Sequence, residues 1–169
     1  MRTAKVRRDV RTWLMSDEKI ADLLGVDGLY GDEYGASHGG SDFEDAPGAI
    51  VPVAAARDDG SSPQLAIGVS LDTTGRNNTA DEETYNVRVI TSGTFGWVKQ
   101  ETDDGEDTRI DQLEQLRDRV VTVLTTKRKG WKDPRTVRDE EVLPNEATNR
   151  YFGVTEVAAE RTDRHPYDE

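Results

Sequence analysis

TYNVRVITS, residues 84–92, alternates along its length: Tyr85, Val87 and Val89 fall on one side, Asn86, Arg88 and Ile90 on the other. A period of two marks a strand with one face in a core and one face toward polar surroundings. Past Gly93, the apolar Phe95, Trp97 and Val98 read as an extension of that strand. An acidic stretch, ETDDGEDT at 101–108, reads as a loop, and then the period changes. Ile110, Leu113, Leu116, Val120 and Leu124 recur every three or four residues, which predicts a long amphipathic helix. Thr108 stands where a cap belongs, with Asp111 three positions on in a capping-box-like pair. Lys127, Arg128 and Lys129 suit the negative end of the helix, and Gly130 its stop. Beyond Trp131 and Pro134, residues 135–143 and 150–161 read as a hairpin turning through PNEATN, and RTDRHPYDE at the end as a polar tail.

Toward the N-terminus, PQLAIGVSLDT (63–73) and GAIVPVAAAR (48–57) read as two more strands. Pro52 cannot donate to a ladder, so the second of these belongs at an edge or at a bulge. Asp58 to Ser62 is turn material, and 73–83 is a polar loop. Residues 27–47 are rich in Gly, Asp and Ser without periodicity, a long loop punctuated by Tyr30, Tyr34 and Phe43. Aromatic side chains in a polar loop suit anchors for a partner. Residues 3–24 read as helix, from Val6, Val10, Trp13 and Leu14 and then Ile20, Leu23 and Leu24; Ser16 and Asp17 can cap a second segment, and Gly25 is a natural stop. Arg2, Lys5, Arg7, Arg8 and Arg11 crowd the start of this helix against the single acid Asp9. The macrodipole disfavours cations there. Either they form a solvated face or they dock on an acidic neighbour.

The order helix, three strands, helix, two strands describes an α/β (α+β) domain, a mostly antiparallel sheet packed by an N-terminal helix and one long amphipathic helix. It is expected as one domain over 1–162, with a polar tail at 163–169. Of the 169 residues, 34% are hydrophobic and 33% charged, so a compact core with long polar loops is expected. The formal charge is −12, with 20 Asp, 14 Glu, 16 Arg and 6 Lys. Such a surface is a poor partner for free nucleic acid. Its self-repulsion favours screening by salt, and the scarcity of lysine fits a protein of molar salt. The chain has no cysteine, which excludes disulfides, thiolate nucleophiles and cysteine-ligated metals. No apolar run approaches the ~20 residues of a membrane span, so no membrane association is expected.

A search for chemistry finds little. Neither phosphate-loop pattern occurs. Placing Gly105 at the sixth position of a calcium loop puts Gln100 and Thr102 where carboxylates belong, which rules out an EF-hand and leaves a solvated loop that could hold a cation only loosely through Asp103, Asp104, Glu106 and Asp107. His38, near Asp42 and Glu44, and His165, in the tail, are a poor basis for a triad or a metal site. No catalytic residue, metal ligand or cofactor is expected, and no enzymatic activity. KRKGWKDPRTVR at 127–138 is the patch best suited to nucleic acid, with Trp131 as a stacking platform; lysines at a helix end followed by a core tryptophan explain the same residues more simply.

The opening VRTWLMSDEKIADLLGVDGLYG, with Val10, Leu14, Asp17, Ile20, Leu23, Leu24 and Gly25 followed by Leu29 and Tyr30, resembles the start of the tail-terminator (tail-completion) proteins of tailed viruses. APGAIVPVA at 46–54, the Tyr85–Val89 strand, the Ile110–Leu124 helix and a closing strand over 151–159 match that family in order and spacing. The long loops at 31–47, 73–83 and 101–108 depart from it. The resemblance implies a non-enzymatic virion subunit that forms a homo-oligomeric ring, hexameric in such proteins. It would stop tail-tube polymerisation and meet the tail-tube protein on one side and a head-side connector on the other, with DNA passing through without sequence-specific binding. The acidic composition then suggests a virus of a halophilic, archaeal host, with assembly in the host cytoplasm. The alternatives are another head-tail connector or head-closure protein, or a host-encoded acidic binding module. The candidate interface residues are Arg2, Lys5, Arg8, Arg11, Tyr30, Tyr34, Phe43 and Trp131. On this reading, Tyr34→Ala or Phe43→Ala lowers particle yield in a virion-assembly assay while the free subunit keeps its melting temperature; an unchanged yield would count against the loop as a contact.

Overall fold

In the computed structural model, residues 2–24, 50–52, 63–72, 82–99 and 105–162 are described. The elements run α1 (Arg2–Met15), α2 (Glu18–Leu24), β1 (Ile50–Pro52), β2 (Gln64–Leu71), β3 (Glu82–Thr94), α3 (Phe95–Lys99), α4 (Gly105–Thr125), β4 (Trp131–Asn145) and β5 (Arg150–Thr162). The five strands form one sheet in the order β1-β2-β3-β5-β4. β1 is parallel to β2 and every other pair is antiparallel. The α+β layout expected from the sequence is thus present, and Pro52 sits in an edge strand as its missing N–H requires.

The first helical stretch breaks where Asp17 caps. Its Oδ2 accepts the Ile20 N–H at 3.0 Å, the N-cap bond that starts α2, while Ser16 instead donates to the Thr12 carbonyl at 2.8 Å. The Asp17 carboxylate also takes two bonds from Arg119 of α4, Nε at 2.9 Å and NH2 at 2.6 Å. Nearby, Gln112 of α4 donates to the Leu23 carbonyl at 2.6 Å. One side chain therefore begins α2 and fastens it to α4.

The period-two reading of β3 holds in its inward face. Tyr85, Val87 and Val89 are buried with Leu65 and Ile67 of β2 and Val157 and Ala159 of β5. Val6, Val10 and Leu14 of α1, Ile20 and Leu24 of α2, and Leu116, Val120 and Leu124 of α4 close over them. Each such valine, leucine or isoleucine contributes about 1.5–3 kcal/mol by leaving water. The extension of β3 through Phe95, Trp97 and Val98 is corrected: β3 ends at Thr94, whose Oγ1 accepts the Trp97 N–H at 3.1 Å and starts the short helix α3. The turn back is close. A Cβ on Gly93 would meet the Trp97 ring at 2.8 Å, so glycine makes room for the indole.

Two further expectations at α4 are corrected. The helix begins at Gly105, so Thr108 lies inside it and the capping pair with Asp111 does not form. At the other end, α4 stops at Thr125, before the lysines and well before Gly130. Its last carbonyls are met by side chains: Arg128 donates to Val123 at 2.5 Å and to Thr126 at 3.2 Å, and the Trp131 indole donates to Leu124 at 2.8 Å. Gly130, at φ 77°, turns the chain into β4.

The Arg119 hydrogen bonds hold the Asp17 carboxyl below its usual value. A depressed carboxyl stabilises the fold above its unfolded value of 3.8, and that contribution is lost as pH falls through the lower folded value. Arg119 is about a third exposed, so screening limits the pair. Asp17→Asn, which keeps the cap, is expected to cost about 0.5–1 kcal/mol near neutral pH in urea unfolding, with the gap from wild type closing below about pH 4. A gap independent of pH would show that the pair does not couple α2 to α4.

Candidate assembly interface

β4 pairs with β5 on one side only and is one of the two edge strands of the sheet. Of its 15 residues, only Trp131 and Val142 are buried and one more is half-buried. Val137 is 50% exposed and Leu143 57%, the large apolar side chains most open to solvent among the described residues. The register with β5 slips three times, between Lys132 and Arg135, Thr136 and Arg138, and Glu140 and Leu143. Each bulge adds twist and interrupts the row of outward backbone groups, and Pro134 and Pro144 remove two donors. Such an edge resists accidental strand addition.

The far half of the hairpin is braced from the helix side. Glu114 of α4 accepts the Val142 backbone N–H at 3.0 Å through Oε2, which meets a donor where the ladder slips. Its Oε1 accepts Arg117 Nε at 2.7 Å, and Arg117 pairs in turn with Asp139 of β4. Gly153 of β5 lies beneath. A Cβ there would come to 2.9 Å of Arg117 Cδ, 3.0 Å of Val142 Cγ2 and 3.3 Å of the Glu140 carbonyl oxygen. The absent side chain lets α4 and the bulge close on each other. Phe95 and Tyr151 meet edge to face at 5.1 Å at the same end, and the Phe95 N–H donates to the Asn149 carbonyl at 2.8 Å.

The brace borders an open cleft of about 570 Å³, lined in part by Arg117, Asp139, Glu140, Leu143, Phe152 and Val154. On the sheet face away from the helices, Arg88 and Glu156 pair at 3.7 Å and Arg138 and Glu140 at 2.7 Å. The Arg138 hydrogen bond holds Glu140 below the usual carboxylate range. Charge is segregated along β4 with one exception, the exposed Asp133 near its start. Lys127, Lys129, Lys132 and Arg135 are exposed at its beginning, and Asp139, Glu140, Glu141 and Glu146 are exposed toward the turn.

The structure separates the residues singled out from sequence. Arg8 is exposed and Lys5 partly buried on α1. Arg2 opens α1, but its side chain is outside the described set. Tyr30, Tyr34 and Phe43 lie outside the described residues. Arg11 is corrected: it is fully buried, one position from Val10 on the packed side of the helix, where a long aliphatic stem can be covered. Trp131 is corrected as well. It is 1% exposed, stacked edge-on against Trp13 at 5.3 Å, with its indole N–H on the Leu124 carbonyl, and is a core residue instead of a contact or stacking platform. Sequence reasoning missed Glu114, Arg117, Asp139 and Gly153. The available signal was Glu114 and Arg117 at i,i+3 on the flank of the apolar stripe.

Among the described residues no three potential metal ligands group together, and no helix is long and apolar enough to cross a membrane. No family model matches the chain, and no curated protein matches it.

Gly153→Ala is expected to destabilise by about 1–3 kcal/mol in chemical denaturation, since Arg117 and Val142 are both held and cannot yield freely. Asp139→Asn beside it should cost less than about 1 kcal/mol, as an exposed partner does. Equal effects from the two would show that the close approach of α4 is not what requires glycine.

Proposed function

We propose that this chain is a non-enzymatic structural subunit of a tailed virus. It assembles as a ring at the head-proximal end of the tail, ends tail-tube polymerisation there, and joins the tail to the head-side connector. The observation that carries this reading is the β4–β5 hairpin: a long edge strand, exposed over nearly all its length, held rigidly from behind by α4. A surface that is stiff and unpaired suits a contact that must keep one geometry. The order of helices and strands is also the one implied by the resemblance of VRTWLMSDEKIADLL, at 10–24, to tail terminators.

The ionisable groups with displaced pKa support a structural role. Asp17 and Arg119 join two helices, Arg138 and Glu140 pair on an exposed strand, and Arg128 is lowered by burial while it caps α4. Each shift is accounted for by an ion pair, a hydrogen bond or burial. The charge of −12 and the 16 arginines against 6 lysines support a host that accumulates salt, an archaeal halophile.

Negative-stain electron microscopy with native mass measurement, on the full chain in molar salt, tests the proposal. Rings of several copies around a central hole, and capping of purified tail tubes, are the expected result. A chain that stays monomeric both free and in the presence of tail tubes overturns it.

A further inference from the structure

We infer that the contact between copies runs head to tail along β4, the acidic end of one hairpin seating on the basic start of the next copy's β4. This rests on the ring reading above and names the surfaces that would build it.

The argument begins with what β4 can offer. Its backbone edge is interrupted by three bulges and two prolines, so continuous strand addition is unfavourable, and recognition falls to side chains. Apart from Asp133, those side chains are sorted by sign. Lys127, Lys129, Lys132 and Arg135 precede the middle of the strand; Asp139, Glu140, Glu141 and Glu146 follow it. Within one copy the two groups cannot meet. From Arg135 to Glu141, six steps of extended chain span roughly 18–20 Å, beyond a Debye length of about 8–10 Å. Some members are already engaged: Arg117 holds Asp139, and Arg138 holds Glu140. Glu141, Glu146, Lys129 and Arg135 form no ion pair among the described residues. Complementary surfaces on one rigid strand, too far apart to satisfy each other, are satisfied by a second copy.

The acidic end also carries an apolar seat. Leu143, at 57% exposure, stands beside Phe152 and Val154 at the open cleft. The stems of Lys129 and Arg135 from a neighbour can cover such a surface while their heads reach Glu141 and Glu146. The basic start is held for this purpose by Trp131, locked beneath it against Trp13 and Leu124. Because the two surfaces differ, the contact is heterologous, and repetition closes a ring when the rotation between copies allows.

Reversal of charge tests the inference on the full chain. The acidic-end variant carries Glu141→Lys and Glu146→Lys; the basic-start variant carries Lys129→Glu and Arg135→Glu. All four positions are exposed, and unchanged circular dichroism and melting would establish that the fold persists. Each variant alone should need more than about tenfold higher concentration to form rings, since like charges then face each other across the contact. Combining all four changes in one chain, or mixing the two variants, should restore assembly. Rings that form equally well in every variant overturn this contact and leave the ring reading standing. A wild-type chain that stops at a dimer overturns the head-to-tail geometry. A wild-type chain that never associates, even on tail tubes, overturns both.

Discussion

The indole of Trp131 ties together three parts of the chain within one core. Its N–H donates to the Leu124 carbonyl at the end of α4, its ring meets Trp13 of α1 edge to face, and its backbone begins β4. A buried indole needs a partner for its single donor, and the unpaired carbonyls of a helix end need donors. Each requirement answers the other. Arg128 completes the arrangement from outside, with its guanidinium over the Trp13 ring at 4.6 Å and its donors on the Val123 and Thr126 carbonyls. Burial lowers its pKa, yet an arginine so shifted stays charged, and the helix end supplies compensating negative charge. The direction of β4, and with it the edge of the sheet, follows from where this indole sits.

Arginine serves a second purpose along the same helix. Arg119 reaches back to Asp17 and sets α2, and Arg117 reaches across to Asp139 and sets the far half of β4. Two residues apart on α4, they point to opposite sides of its apolar stripe, so a single helix clamps both the N-terminal segment and the edge hairpin. Asp9 of α1 and Arg161 of β5 add a third such tie. At Arg119 the guanidinium fork meets the Asp17 carboxylate with two donors.

Much of the fold was legible because the deciding information was local. Tyr85, Val87 and Val89 alternate, Leu113, Leu116, Val120 and Leu124 recur at helical spacing, and Asp17 stands where a cap must, so β3, α4 and the break before α2 could be read directly. The misreadings have two causes. The ends of β3 and α4 were misplaced by local contacts that periodicity cannot register, such as Thr94 capping α3 and Trp97 folding onto Gly93; the others depend on partners distant in sequence. Arg11 and Trp131 look like exposed basic and aromatic features in a row of letters, and their burial comes from tertiary packing. The brace of Glu114, Arg117 and Asp139 depends on bulges that shift the register of β4, and register is a property of the pair of strands.

An open edge in a sheet poses a choice between no partner and too many. A flat edge that recruits another strand by its backbone can do so without limit, which is the route to fibres. β4 closes that route with bulges, prolines and a high density of charge, and keeps its side chains available. Recognition through side chains at fixed positions restricts both the partner and the angle of approach. An angle set this way, repeated between identical copies, ends in a closed and countable assembly when it divides a full turn. Rigidity is then a requirement, because a few degrees of freedom at each contact would spread the number of copies. Glu114 and Arg117 supply such stiffness here by fixing the edge to the longest helix among the described residues, which is what the proposed ring would require of β4.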